Sequence, residues 1–154
     1  MMEKTQIPPI PMEETLEFLV GLLNTPSPTG DTASAIDYVA AAMKELPVTC
    51  ARTRKGGLRI TWPSDTSDDA YPRALTAHID TLGAMVRKIK ENGRLQLTSL
   101  GGFDWHAVEG EGCTVVSSEG LTYRGSILPT KASVHIHGKK AVDLERSEEN
   151  YEVR

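Results

Sequence analysis

The strongest constraint on this chain is a change of hydrophobic period along it. Up to Pro47 the apolar residues recur at helical spacing, and from Gly83 onward they fall in short, often alternating runs cut by glycine turns. Leu16, Leu19, Val20 and Leu23 define a helix over Glu13 to Asn24, with Pro11, Glu13 and Glu14 suited to its start. It must stop before Thr25-Pro26-Ser27-Pro28-Thr29-Gly30, because a residue preceding proline avoids the helical region. Ile36, Val39, Ala40, Met43 and Leu46 define a second helix over Thr32 to Leu46, capped by Asp31 or Thr32 and ended by Pro47.

Strand signals fill the remainder. Val48 to Thr53 and Leu58 to Trp62 flank a turn at Arg54-Lys55-Gly56-Gly57, and Pro63 to Ala70 reads as a polar loop. Arg73 to His78 reads as a short apolar strand. Gly83 to Lys90 and Arg94 to Leu100 form a hairpin about Glu91-Asn92-Gly93, since Asn-Gly supplies the left-handed turn a hairpin needs. Cys113 to Ser118 and Leu121 to Leu128 repeat the pattern, Ala132 to His137 is a further strand candidate, and Tyr151 to Arg154 has the look of a strand beginning. Helices first and strands later predict two structural units joined near Asp80 to Gly83.

Charge narrows the functional classes. Seventeen basic against 21 acidic residues give a net charge of −4, opposite to the field of a nucleic-acid module. The one basic stretch, Arg87, Lys88, Lys90 and Arg94, reads as the solvated face of the hairpin. No apolar run reaches membrane-spanning length, and the prolines of the first 12 residues break any signal-peptide core, so this leader reads as extended. Cys50 and Cys113 lack a CxxC partner and are expected to be buried free thiols, which places the chain in the cytoplasm.

The segment with chemical potential is His78-Ile79-Asp80. Side chains two apart on a strand share a face, so imidazole and carboxylate meet at a strand's C-terminal end, where open α/β sheets build their sites. A neutral imidazole suits zinc or cobalt, and a neighbouring carboxylate can hold its other N–H. The alternative is a hydrogen-bonded histidine at a strand end. His135 and His137 have the same spacing and offer either two ligands or two half-exposed residues on a strand. His106 reads as a loop residue, with Phe103 and Trp105 packing that loop onto a sheet, and Asp31 and Glu45 as a cap and a surface acid.

Longer phrases carry a resemblance. Leu75-Thr76-Ala77-His78-Ile79-Asp80-Thr81-Leu82-Gly83-Ala84-Met85-Val86 resembles the signature of dinuclear-metal aminopeptidases, the group of glutamyl and tetrahedral, self-compartmentalising aminopeptidases. Asn92-Gly93-Arg94-Leu95, Leu100-Gly101-Gly102-Phe103-Asp104 and Tyr123-Arg124-Gly125-Ser126-Ile127-Leu128 continue it, and Pro26 to Gly30 is similar to the loop between that family's first two helices. With Lys131-Ala132-Ser133 the phrasing is closest to a subgroup found with genes for making the osmoprotectant N-acetylglutaminylglutamine amide.

The resemblance implies an α/β fold: the N-terminal part of a zinc-peptidase domain over 13–81, then a β-rich, PDZ-like or barrel-like insertion over 82–154 used in oligomerisation. It implies that His78 is a metal ligand and Asp80 the catalytic carboxylate that steers it. It implies two divalent ions, zinc or cobalt, a peptide substrate, a homo-oligomer, and neither nucleic acid nor membrane as partner. The family's remaining acidic ligands, general-base glutamate and last histidine follow the insertion, so the chain reads as an inactive N-terminal fragment that holds no metal tightly. The competing reading is a non-catalytic β-rich oligomerisation or peptide-binding module.

Overall fold

The computed structural model describes residues 9–63 and 73–154. Residues 64–70 of the expected polar loop, and the first eight of the leader, lie outside them. The chain divides into two compact units, one ending at Thr81 and the other starting at Leu82.

In the first unit α1 spans Met12–Leu23 and α2 spans Ala33–Ala42, followed by a 3₁₀ turn at Met43–Glu45. The helical period expected to Leu46 therefore tightens at Met43, one turn before Pro47, as helix ends commonly do. Thr32 occupies the N-cap position of α2, but its side chain makes no capping hydrogen bond. The two helices meet through the rings of Phe18 and Tyr38, 5.4 Å apart, and Tyr38 Oη donates to the Phe18 carbonyl at 3.2 Å. Ala35 and Ile36 are buried, whereas Leu16, Leu19, Val20 and Leu23 of α1 remain exposed. Strands β1 (Thr49–Arg52) and β2 (Leu58–Thr61) pair antiparallel as a hairpin, and Arg52 bonds Asp37 of α2.

Two expectations about strands are corrected. Arg73 to His78 is not a strand: among the described residues none lies beside it, and Leu75 is fully exposed. A near-continuous apolar run suits a strand buried on both faces, but the ladder that makes it one must come from neighbours. Ala132 to His137 is also not a strand; Val134–His137 forms the short helix α3, and Lys139–Val142 the short helix α4. Both cysteines are free, as expected, but neither is buried: Cys50 is exposed and Cys113 half-buried.

The second unit is a five-stranded antiparallel sheet in the order β3-β4-β7-β6-β5. Strands β3 (Gly83–Ile89) and β4 (Leu95–Leu100) are the hairpin about Asn92-Gly93, whose glycine has φ 80°. Strands β5 (Gly112–Val116) and β6 (Thr122–Pro129) are the second hairpin. Strand β7, only Tyr151–Val153, closes the gap between them, pairing Leu95 and Ile127 with Val153 on its two sides. Its alternation sends Tyr151 and Val153 to one face, where they form a core with Leu97 and Trp105. Phe103 and Trp105 pack onto the sheet as expected, with the Trp105 ring stacked on Tyr151 at 5.4 Å.

Glu152 points to the other face and is equally buried, 2% exposed. Lys90 Nζ, Arg94 Nη1 and Arg154 Nε donate to its carboxylate at 2.8, 2.6 and 2.9 Å. Arg87 donates to Glu148 at 3.1 Å. The basic stretch is therefore not simply a solvated face, because three of its four cations bind acids from the end of the chain. Burial pushes the Glu152 carboxyl up, but the three cationic hydrogen bonds outweigh it and hold the group below its ordinary range.

Candidate functional site

The site is built by two segments of the first unit that are distant in sequence. The stretch ending in His78-Ile79-Asp80-Thr81 meets the Pro26-Ser27-Pro28-Thr29-Gly30 loop that follows α1. Two backbone hydrogen bonds join them around an isolated parallel bridge between Pro28 and Thr81: Thr81 N donates to the Ser27 carbonyl at 2.7 Å, and Thr29 N to the Thr81 carbonyl at 3.3 Å. The two prolines stiffen this loop, and Asp31 N closes a turn onto the Pro28 carbonyl at 2.8 Å.

His78 and Asp80 come together. His78 Nδ1 lies 3.1 Å from Asp80 Oδ1, and the other carboxylate oxygen, Oδ2, accepts from Thr29 Oγ1 at 2.8 Å. The Thr29 hydroxyl and then the His78 ring hold the Asp80 carboxyl below its ordinary range. With Nδ1 carrying its proton toward Asp80, the ring presents the lone pair of Nε2. Its side chain is open to solvent, 87% exposed. The pair sits on an open cleft of about 520 Å³ lined by Thr29, Ile36, Leu58, Ile60, His78 and Asp80, among others.

The other candidates do not join it. His106 lies in a 3₁₀ turn of the second unit, with its backbone N–H held by Asp104. His135 and His137 lie on α3, where residues two apart point to opposite sides, so the shared face expected of a strand is lost. Among the described residues no three His, Cys, Asp or Glu side chains group as a metal site. Thr29 is the partner that sequence reasoning missed. Its signal was a hydroxyl set rigidly between proline and glycine, but its target lies 51 residues away.

Comparison with known proteins adds a decisive observation. The sequence pattern of the M42 glutamyl aminopeptidases matches residues 56–153, a span holding both the His78–Asp80 pair and all five strands of the sheet. This chain belongs to the M42 glutamyl aminopeptidase family. A Bacillus subtilis (strain 168) protein named "Putative aminopeptidase YhfE" is 43% identical over 143 residues, covering 93% of this chain and 40% of that protein. The M42 chain thus spans about 40% of the length of this curated relative. A TET aminopeptidase from a marine-sediment Thaumarchaeota archaeon superposes with a TM-score of 0.77 at 20% identity, over 92% of this chain and 38% of that one. An aminopeptidase from the archaeon Desulfurococcus kamchatkensis superposes with a TM-score of 0.70 at 19% identity, over 92% and 37%. At these identities the two structures establish the shared mixed α/β fold of the M42 chain.

Proposed function

We propose that this chain is the N-terminal part of a metal-dependent aminopeptidase that removes N-terminal residues from peptides, with His78 a ligand to one of two divalent ions. The observation that carries the reading is the His78 Nδ1–Asp80 Oδ1 contact, which leaves Nε2 free within a span matched by the family pattern. The donor chemistry fits zinc or cobalt, because a carboxylate behind an imidazole fixes its tautomer and raises its basicity. Among the described residues it fits as one ligand only, and a catalytic zinc takes three protein ligands. Such ions, when bound, activate water and stabilise the oxyanion of the attacked carbonyl. This chain's own contribution is to hold His78 through Asp80 on an open cleft and to leave the imidazole accessible.

The remaining ligands and the general base belong, on this reading, to the part of the family's length that the chain does not span. Alone it turns over no peptide and holds metal weakly, and the whole enzyme is cytoplasmic. The second unit serves as the oligomerisation insertion, a role supported by its separate core and by the exposed Met85, Ile89 and Val116 on its two edge strands.

The test uses an aminoacyl-anilide with zinc or cobalt. This chain should give no saturable hydrolysis, and a fusion of it to the uncovered remainder of the Bacillus subtilis relative should give hydrolysis lost in His78→Ala. Turnover by the chain alone that His78→Ala abolishes would show that no further ligands are needed. An active fusion indifferent to His78→Ala would remove His78 from the site.

A further inference from the structure

We propose that Thr29 is the positioning residue of this site, the group that locks Asp80 and through it the tautomer of His78. A carboxylate held through one oxygen can still rotate about its terminal bond, where the torsional wells are broad. Here both oxygens are engaged, Oδ1 by His78 at 3.1 Å and Oδ2 by Thr29 at 2.8 Å, so the carboxylate plane is fixed.

Thr29 can act in this way because its own backbone is over-determined. The hydrogen bonds flanking the Pro28–Thr81 bridge tie the loop to the residue next to Asp80, so the hydroxyl and its target share one frame. Threonine is also β-branched and stiff about its first side-chain torsion, which limits where the hydroxyl can go. Held from behind, Asp80 Oδ1 keeps its lone pair aimed at Nδ1. The neutral imidazole then carries its proton on Nδ1 and leaves Nε2 as the outward donor atom.

The inference rests on the reading of His78 as a metal ligand for its functional consequence, though the tautomer itself can be read without metal. Long-range ¹⁵N–¹H NMR of the labelled, metal-free chain near pH 8 reports it, with His78→Gln identifying the resonances. The wild type and Thr29→Ser should show His78 with its proton on Nδ1. Thr29→Val, equal in shape but without the hydroxyl, should show mixed tautomers while the spectra of His106, His135 and His137 stay unchanged. A His78 tautomer unmoved by Thr29→Val, but lost in Asp80→Asn, would overturn the role of Thr29 and leave the His78–Asp80 pair standing.

Zinc titration followed at His78 Nε2 separates the two claims. Thr29→Val should weaken the apparent affinity several-fold, less than the roughly tenfold expected when Asp80, the group directly behind the histidine, is lost, and Thr29→Ser should restore it. Equal affinity in all three variants would overturn the functional consequence. Zinc that leaves Nε2 unmoved, with the tautomer responding to Thr29→Val as expected, would sink the ligand reading while supporting the positioning role.

Discussion

Replacing Glu152 by glutamine should destabilise the second unit severely, because this carboxylate is the common acceptor of three cations. Its side chain is 3% exposed, and the side chains of Lys90, Arg94 and Arg154 are 26%, 39% and 31% exposed. A hydrogen bond to a charged group contributes roughly 1.5–3 kcal/mol, and breaking a buried ion pair costs about 3–5 kcal/mol. The three bonds do not add, since each cation can turn partly to water and glutamine still accepts one or two of them. An expected loss of about 2–4 kcal/mol follows. At roughly 0.05–0.15 kcal/mol per residue, a unit of this size has only about 4–11 kcal/mol to lose.

Thermal unfolding followed by near-UV circular dichroism reads this unit, because the buried Trp105–Tyr151 stack belongs to its core. At about 4–8 °C per kcal/mol, the midpoint should fall by about 10–30 °C at pH 7. The pH dependence has a definite sign. The folded Glu152 carboxyl lies below its model-compound value of 4.5, so its stabilisation is complete above that pH and is lost as pH falls through the folded value. The gap between wild type and Glu152→Gln should therefore persist at pH 4.5 and close only as the pH falls further, through the lowered folded value. A midpoint shift under about 3 °C at pH 7, or a gap independent of pH, would refute the account of Glu152 as the buried anchor of the sheet.

Two further outcomes follow from the same core. Tyr151 Oη donates to Glu109 at 2.5 Å, and burial followed by that carboxylate pushes its pKa up to about 12. Absorbance titration should show one tyrosine ionising late and lost in Tyr151→Phe; its stabilisation is present below about pH 10 and disappears as pH rises toward 12. Gly125→Ala would place its Cβ 2.4 Å from Val153 Cγ1 and 3.0 Å from the Arg154 carbonyl, so urea unfolding should show a loss of about 1–3 kcal/mol from forced separation of β6 and β7.

Local rules were sufficient for much of this molecule. Helical spacing located α1 and α2, Asn92-Gly93 located the β3–β4 hairpin, and Tyr151 to Arg154 read as the start of a strand, of which Tyr151–Val153 is β7. The His78–Asp80 contact was legible because its partners are two residues apart and need only an extended backbone to meet. Periodicity failed where neighbours decide. Arg73 to His78 has strand composition without a ladder, and Val134 to His137 alternates in sequence yet forms a turn of helix.

Tertiary structure alone decided the placement of β7 between two hairpins, and with it the conversion of Lys90, Arg94 and Arg154 into partners of one buried acid. It alone brought Thr29 to Asp80 across 51 residues. The physical reason is the same in both cases. Residue spacing encodes which side of its own element a group faces, whereas the partner on that side is chosen by a ladder or loop closed from elsewhere in the chain.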